Sequence, residues 1–133
     1  DPNFSNVVNS VFPIDLVISY NHTKDGSPIE IIARYASFSP ILSHEMRGHF
    51  AVVDGGACLE IDLDLHPQYM NKILIVQRGN CTFVKKLHHI TQANLRPLAV
   101  VVANNVPHSG LVTMYSKTFD RDEELGFLCC SCR

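Results

Sequence analysis

Three groups of residues in this sequence carry side chains that bind metals, exchange electrons or attack as nucleophiles. The first group is the segment 44–49, in which two histidines, His44 and His49, flank Glu45, Met46, Arg47 and Gly48. A zinc-binding helix requires H-E-x-x-H, with both histidines on one face. Here the second histidine stands at i+5 and a glycine interrupts the helix. The segment is therefore predicted to be a surface loop without a metal.

The second group is the cysteines, of which there are five: Cys58, Cys81, Cys129, Cys130 and Cys132. An odd number leaves at least one thiol free or paired with another chain. The last three lack the C-x-x-C partner of a zinc site. The sequence also lacks a nucleophile elbow and a glycine-rich phosphate loop. We therefore predict no catalytic residue, no metal and no cofactor, and expect the domain itself not to be an enzyme.

The third group is the pair His88 and His89, which lie in a segment with a helical period. Phe83, Leu87 and Ile90 stand at i, i+4 and i+7 and form one apolar face. Adjacent histidines point about 100° apart on a helix and do not easily share one ion. The polar residues outside the stripe are predicted to be exposed; they are Lys85, Lys86, His88, His89 and Gln92.

Length and charge restrict the class of protein. The 133 residues fit one domain, 1–133, and 11 basic against 13 acidic residues leave no basic block for nucleic acid. No apolar run approaches the roughly 20 residues that span a bilayer, so we expect no direct membrane contact from this segment. The chain starts at Asp1 without a signal peptide, and we expect a mature or excised fragment.

Three N-x-Ser/Thr sequons begin at Asn3, Asn21 and Asn80. Together with the cysteines they favour an oxidising, glycosylating compartment, which is the lumen of the secretory, endosomal or vacuolar system or the cell exterior. Asn21 lies beside a turn signal at residues 25–28, and we rank it first for glycosylation. Asn3 comes second. Asn80 comes last, because the tight turn around it is expected to limit access.

The elements that position these residues are mostly strands. Apolar runs predict strands at residues 11–20, 29–35, 50–53 and 127–132. Residues 72–77 and 98–103 are continuous apolar runs, typical of strands that are buried on both faces. With the helix between them, which Thr82 caps and which stops near Asn94, they form a βαβ unit with parallel strands. The rest is predicted to be antiparallel.

The junction between the first buried strand and the helix carries a recognisable motif. Arg78-Gly79-Asn80-Cys81-Thr82-Phe83, preceded by an apolar strand and followed by a lysine-bearing helix, closely resembles the signature of the protease-associated (PA) domain. The strand that ends in Asn104 and the Ala57-Cys58 segment also match this family.

The resemblance implies an α+β fold, a PA-type β-sandwich or open barrel with flanking helices and one βαβ unit. It also implies a disulfide between Cys58 and Cys81. The resemblance further implies a module that binds peptide or protein, in a parent such as a membrane-anchored RING ubiquitin ligase or a sorting receptor. In sorting receptors the motif arginine lies at the cargo-peptide site, which here corresponds to Arg78 with Gly79 and Asn80 as neighbours.

Alternatives remain open for both the domain and the arginine. Two alternatives to a peptide-binding module are a substrate-gating accessory domain of a larger hydrolase and a structural spacer. Arg78 lies at the carboxyl end of a strand in a βαβ unit, where open α/β sheets place ligand crevices. It either serves as a ligand group or braces the turn by bonding a loop carbonyl or an acid such as Asp54.

Overall fold

The computed structural model describes residues 6–10, 15–21, 25–36, 39–40, 45–104 and 128–132. These residues form eight strands, one α-helix and two short 3-10 turns, Asp54–Ala57 and Pro67–Tyr69. The helix, α1, runs from Phe83 to Gln92. The strands are β1 Asn6–Ser10, β2 Asp15–Asn21, β3 Pro28–Tyr35, β4 Met46–Gly48, β5 Phe50–Val52, β6 Ile73–Gln77, β7 Ala99–Ala103 and β8 Leu128–Cys132.

All eight strands belong to one mixed sheet in the order β4-β1-β2-β3-β8-β7-β6-β5. Pairing is antiparallel from β4 to β8, and parallel from β8 through β7 and β6 to β5. An α+β fold is thus confirmed. The expectation that strands outside the pair β6 and β7 are all antiparallel is wrong, because β5 and β8 add to that pair in parallel.

The two edges of the sheet lie close together. Strands β4 and β5 are at opposite ends of the strand order, yet only His49 separates them in the chain. Consecutive Cα atoms are about 3.8 Å apart, so the sheet must curl until its edges approach each other. The rings of Tyr20 on β2 and Phe50 on β5 meet edge to face across this gap, with centroids 5.8 Å apart. The result is a half-barrel.

Both faces of the parallel strands are buried, as their continuous apolar sequence predicts. Ile73, Ala99 and Val101 pack into the half-barrel with residues of β2 and β3. The alternate residues of the same strands, among them Leu74 and Val100, pack on the other face against Leu87 and Ile90 of α1. The helix therefore covers the outer face of the sheet.

The sequence signals for the ends of α1 are correct. The Thr82 hydroxyl accepts a hydrogen bond from the backbone N–H of Lys85 at 3.2 Å, which is an N-terminal cap. Asn94 adopts a left-handed conformation with φ 58° just beyond the last turn, as residues that terminate helices do. No helix in the described part of the chain is long and apolar enough to cross a bilayer.

One segment differs from the sequence-based expectation, and the predicted start of another lies outside the described residues. Residues 46–48 form the edge strand β4 rather than a loop, because Met46 and Arg47 pair with β1. The nearby guanidinium of Arg47 bonds the carboxylate of Glu45 at 3.1 Å. The strand predicted at 11–20 begins at Asp15, and residues 11–14, like Asn3 and His44, lie outside the described residues.

The contact between α1 and the sheet supports a stability prediction. Leu87 is fully buried, whereas its neighbour His88 is exposed. Leu87→Ala should lower the free energy of unfolding by about 2–5 kcal/mol, because it leaves a cavity between helix and sheet. His88→Ala is the control and should change it by less than about 0.5 kcal/mol. Urea denaturation measures both, and similar losses for the two variants would contradict the packing described.

Candidate functional site

A cavity of ≈ 290 Å³ opens where the parallel strands end and α1 begins. Parallel strands bring their carboxyl ends to one edge, where α/β sheets place ligand crevices. The last residues of β7 and β8 and the start of α1 form its walls. It is lined by Arg78, Gly79, Cys81, Thr82, Phe83, Lys86, Val102, Asn104, Ser131 and Cys132.

Arg78 lies at the mouth of this cavity with its side chain exposed. Its backbone N–H donates to the carbonyl of Ala103 at 2.8 Å, which fixes the residue between β6 and β7. Within the described ranges its guanidinium has no hydrogen bond or ion pair, and Asp54 does not contact it. The bracing alternative therefore finds no support among the described residues.

The turn after Arg78 presents two neighbouring residues differently. Gly79 has φ 102° and lines the cavity, whereas Asn80 has φ 68°, is exposed and lies outside the lining. The expected poor accessibility of Asn80 is therefore wrong. Asn21 is exposed as well, and glycosylation of both stays a prediction.

The disulfide that the resemblance implied is present. Cys58 and Cys81 are joined with their Cα atoms 5.7 Å apart. The bond ties the Asp54–Ala57 turn to the junction between β6 and α1. Closing a loop of this length, 23 residues of separation, is worth roughly 3 kcal/mol in the chain-entropy model.

Lys86 is buried, which corrects the expectation of an exposed lysine pair. Only 1% of its surface is accessible, whereas Lys85 is exposed. Its ammonium donates to the carbonyls of Gly56 and Gly79, each at 2.8 Å, and lies 3.4 Å from the Sγ atom of Cys58. Burial lowers the pKa of Lys86. Lys86 lies outside the apolar stripe but can be buried, because backbone carbonyls from two separate segments accept hydrogen bonds from its ammonium.

His89 is the second correction on the polar face of α1. It is 8% exposed, and its Nδ1 atom lies 2.7 Å from the carbonyl oxygen of Ala57. Lys86 and His89, one helical turn apart, therefore bind the carbonyls of Gly56 and Ala57, which are adjacent in the chain. His88 is exposed as predicted.

The turn that receives these bonds has an unusual backbone. Gly55, Gly56 and Ala57 have φ values of 69°, 64° and 61°, all left-handed. Left-handed conformations are unfavourable for residues with a Cβ atom, which explains the two glycines. This conformation directs consecutive carbonyls toward α1.

The three remaining cysteines are free thiols on β8. Cys129 and Cys130 are buried, and burial raises the pKa of Cys129 to about 12 and raises that of Cys130 well above its ordinary value. Cys132 is partly exposed, lines the cavity, and burial raises its pKa too. In the part of the chain that the structure describes, no three histidine, cysteine or acidic residues are grouped for a metal ion.

The Asp54–Ala57 turn supports a second prediction. A Cβ atom on Gly56 would lie 3.0 Å from both the Gln77 carbonyl oxygen and Lys86 Nζ, whereas one on Gly55 meets nothing within 4 Å. Gly55→Ala should cost about 1 kcal/mol for its backbone conformation alone. Gly56→Ala should cost about 2–4 kcal/mol, because crowding of Lys86 is added. Thermal and urea unfolding measure both, and equal losses would mean that Lys86 is not held as described.

The comparison with known protein families agrees with the fold and the junction motif described above. The chain matches the family model of the PA domain over residues 16–127. No curated protein matches it significantly. The matched range includes six of the strands at least in part, α1 and the whole Arg78 to Phe83 junction. Because this range covers most of the chain, the protein belongs to the PA-domain family.

Proposed function

We propose that this PA domain is a non-catalytic module that binds a peptide or protein segment at the Arg78 cavity. PA domains are protein-interaction or substrate-gating modules. The observation that carries the proposal is the cavity itself, which places an exposed guanidinium beside apolar walls at the end of a parallel sheet.

The size and lining of the cavity favour a short segment of polypeptide. Its volume of ≈ 290 Å³ is at the lower end for ligand pockets, which run from about 300 to 1,000 Å³. That space accepts one or two side chains rather than a large cofactor. Phe83 and Val102 provide apolar contact, and Asn104 and Ser131 provide polar groups.

Arg78 gives the cavity a preference for negative or strongly accepting groups. A guanidinium binds a carboxylate through two parallel hydrogen bonds, and it also binds peptide carbonyls. The amino terminus of α1, which begins at Phe83 beside Arg78, adds the positive end of a helix dipole. A peptide carboxylate, from an acidic side chain or a C-terminus, fits this arrangement.

The disulfide supports a proposal for the compartment. A Cys58–Cys81 bond fits an oxidising environment, and PA domains occur in secreted or luminal proteins. We place this domain on the luminal or extracellular side of a secretory-pathway membrane protein, of the RING ubiquitin ligase or sorting-receptor type. Gating of substrate for a hydrolase would use the same cavity.

Arg78→Ala tests the proposed site. Peptides are first selected on the wild-type domain from a displayed random library that includes free C-termini. The variant should bind them about 1–3 kcal/mol more weakly, since it loses hydrogen bonds to a charged group, and its melting temperature should stay nearly unchanged. Calorimetric titration measures the affinity and thermal unfolding measures the stability.

Two further variants complete the test. Arg78→Lys keeps the charge but loses the fork, and it should recover only part of the affinity. Lys85→Ala removes an exposed charge outside the cavity and should leave the affinity unchanged. If Arg78→Ala binds the selected peptides as tightly as the wild type, the binding site is not at Arg78. If no peptide can be selected, a structural spacer is the favoured function.

A further inference from the structure

Among the described residues, no carboxylate forms an ion pair with the buried ammonium of Lys86. Its partners are two backbone carbonyls and the Cys58 sulfur, and only burial shifts its pKa. Two carbonyls and the sulfur satisfy the three donors, and none of these partners carries a net charge. A buried cation without a counter-ion is unfavourable, and any anion that forms beside it is strongly favoured. In the described part of the chain, the atom that contacts the ammonium and is able to become that anion is Cys58 Sγ, at 3.4 Å.

We propose that the Cys58–Cys81 disulfide is a thiol-exchange site, in which a substrate thiolate attacks Cys81 and Cys58 leaves as a thiolate paired with Lys86. The two sulfurs differ in the way that this direction requires. Both cysteines are partly exposed, but Cys81 is the one that lines the cavity, and Cys58 is the one that lies against the ammonium. In thiol–disulfide exchange the sulfur with the more stable thiolate leaves faster.

The chemistry balances without a further reagent. The incoming thiolate forms a bond to Cys81 Sγ, the Cys58–Cys81 bond breaks, and its electron pair stays on Cys58. A second thiolate then attacks the substrate sulfur of the mixed disulfide and releases the Cys81 thiolate. Two thiols are oxidised to one disulfide and the domain gains two electrons. The substrate class is a soluble thiol or a peptide thiol that enters the cavity.

The exchange reaction does not require peptide binding at Arg78. It depends on the Lys86 ammonium, which favours the reduced form because a thiolate becomes its counter-ion. A disulfide whose reduced form is stabilised in this way is more oxidising than a purely structural one. The elements around Cys58 carry other titratable groups, which are Asp54, Glu60, Arg78, Lys85 and His89. None of these five is within hydrogen-bonding distance of its sulfur, so Lys86 is the charge in contact with it.

The first experiment equilibrates the whole domain with mixtures of reduced and oxidised glutathione. Lys86→Met should shift the equilibrium toward the disulfide by tenfold or more, about 30 mV per tenfold change. Lys85→Met, which removes the exposed neighbouring charge, should match the wild type. Mass spectrometry should find the transient glutathione adduct on Cys81. Equal equilibria for all three proteins, or an adduct on Cys58 or Cys132, would overturn the assignment.

The second experiment uses the wild-type domain, so it tests the proposed thiol exchange even if Lys86→Met fails to fold. The reduced wild-type domain is alkylated with iodoacetamide over a range of pH, and the rate at Cys58 is read from its peptide. Cys58 should react as a thiol whose pKa lies clearly below the ordinary value of about 8.5. The three β8 thiols do not interfere, because burial raises their pKa values. An ordinary or higher pKa at Cys58, or unfolding on reduction, would overturn the proposal.

Discussion

The site depends on one interaction, the placement of the Lys86 ammonium between the carbonyls of Gly56 and Gly79. These carbonyls belong to segments that are far apart in the chain, the left-handed turn and the junction after β6. The lysine extends from a helix that packs on the sheet, so it joins helix, turn and junction at one point. Because Gly79 and Lys86 both line the cavity, the same contact fixes the wall beside Arg78.

The parallel half of the sheet supplies the other constraint. β6, β7 and β8 run side by side in one direction, so their carboxyl ends meet at a single edge. Gly79, Asn104 and Cys132 reach the cavity from three different parts of the sequence for this reason. Apolar packing on both faces leaves these strand ends as the place where polar side chains can gather.

The sequence was informative where the signals were local. Continuous apolar runs identified β6 and β7, a period of 3.6 identified α1, and Thr82 and Asn94 marked its ends. The Cys58–Cys81 pair followed from family resemblance. Lys86 and His89 were misjudged, because a periodicity argument assigns polar residues to solvent, and their partners at Gly56 and Ala57 lie about 30 residues away. The parallel pairing of β5 and β8 also depends on long-range contacts that no local pattern reveals.

The position of β8 bears on how the chain folds. This strand comes last among the described elements, yet it lies in the middle of the sheet, between β3 and β7. The antiparallel and parallel halves therefore join only through a strand that the ribosome delivers after both. Until it arrives, β3 and β7 each expose an unpaired edge, which is a template for pairing with other chains. We therefore expect the pairing of β8 to be a late, long-range step in folding, and steps of this kind slow folding and prolong exposure of unpaired strand edges.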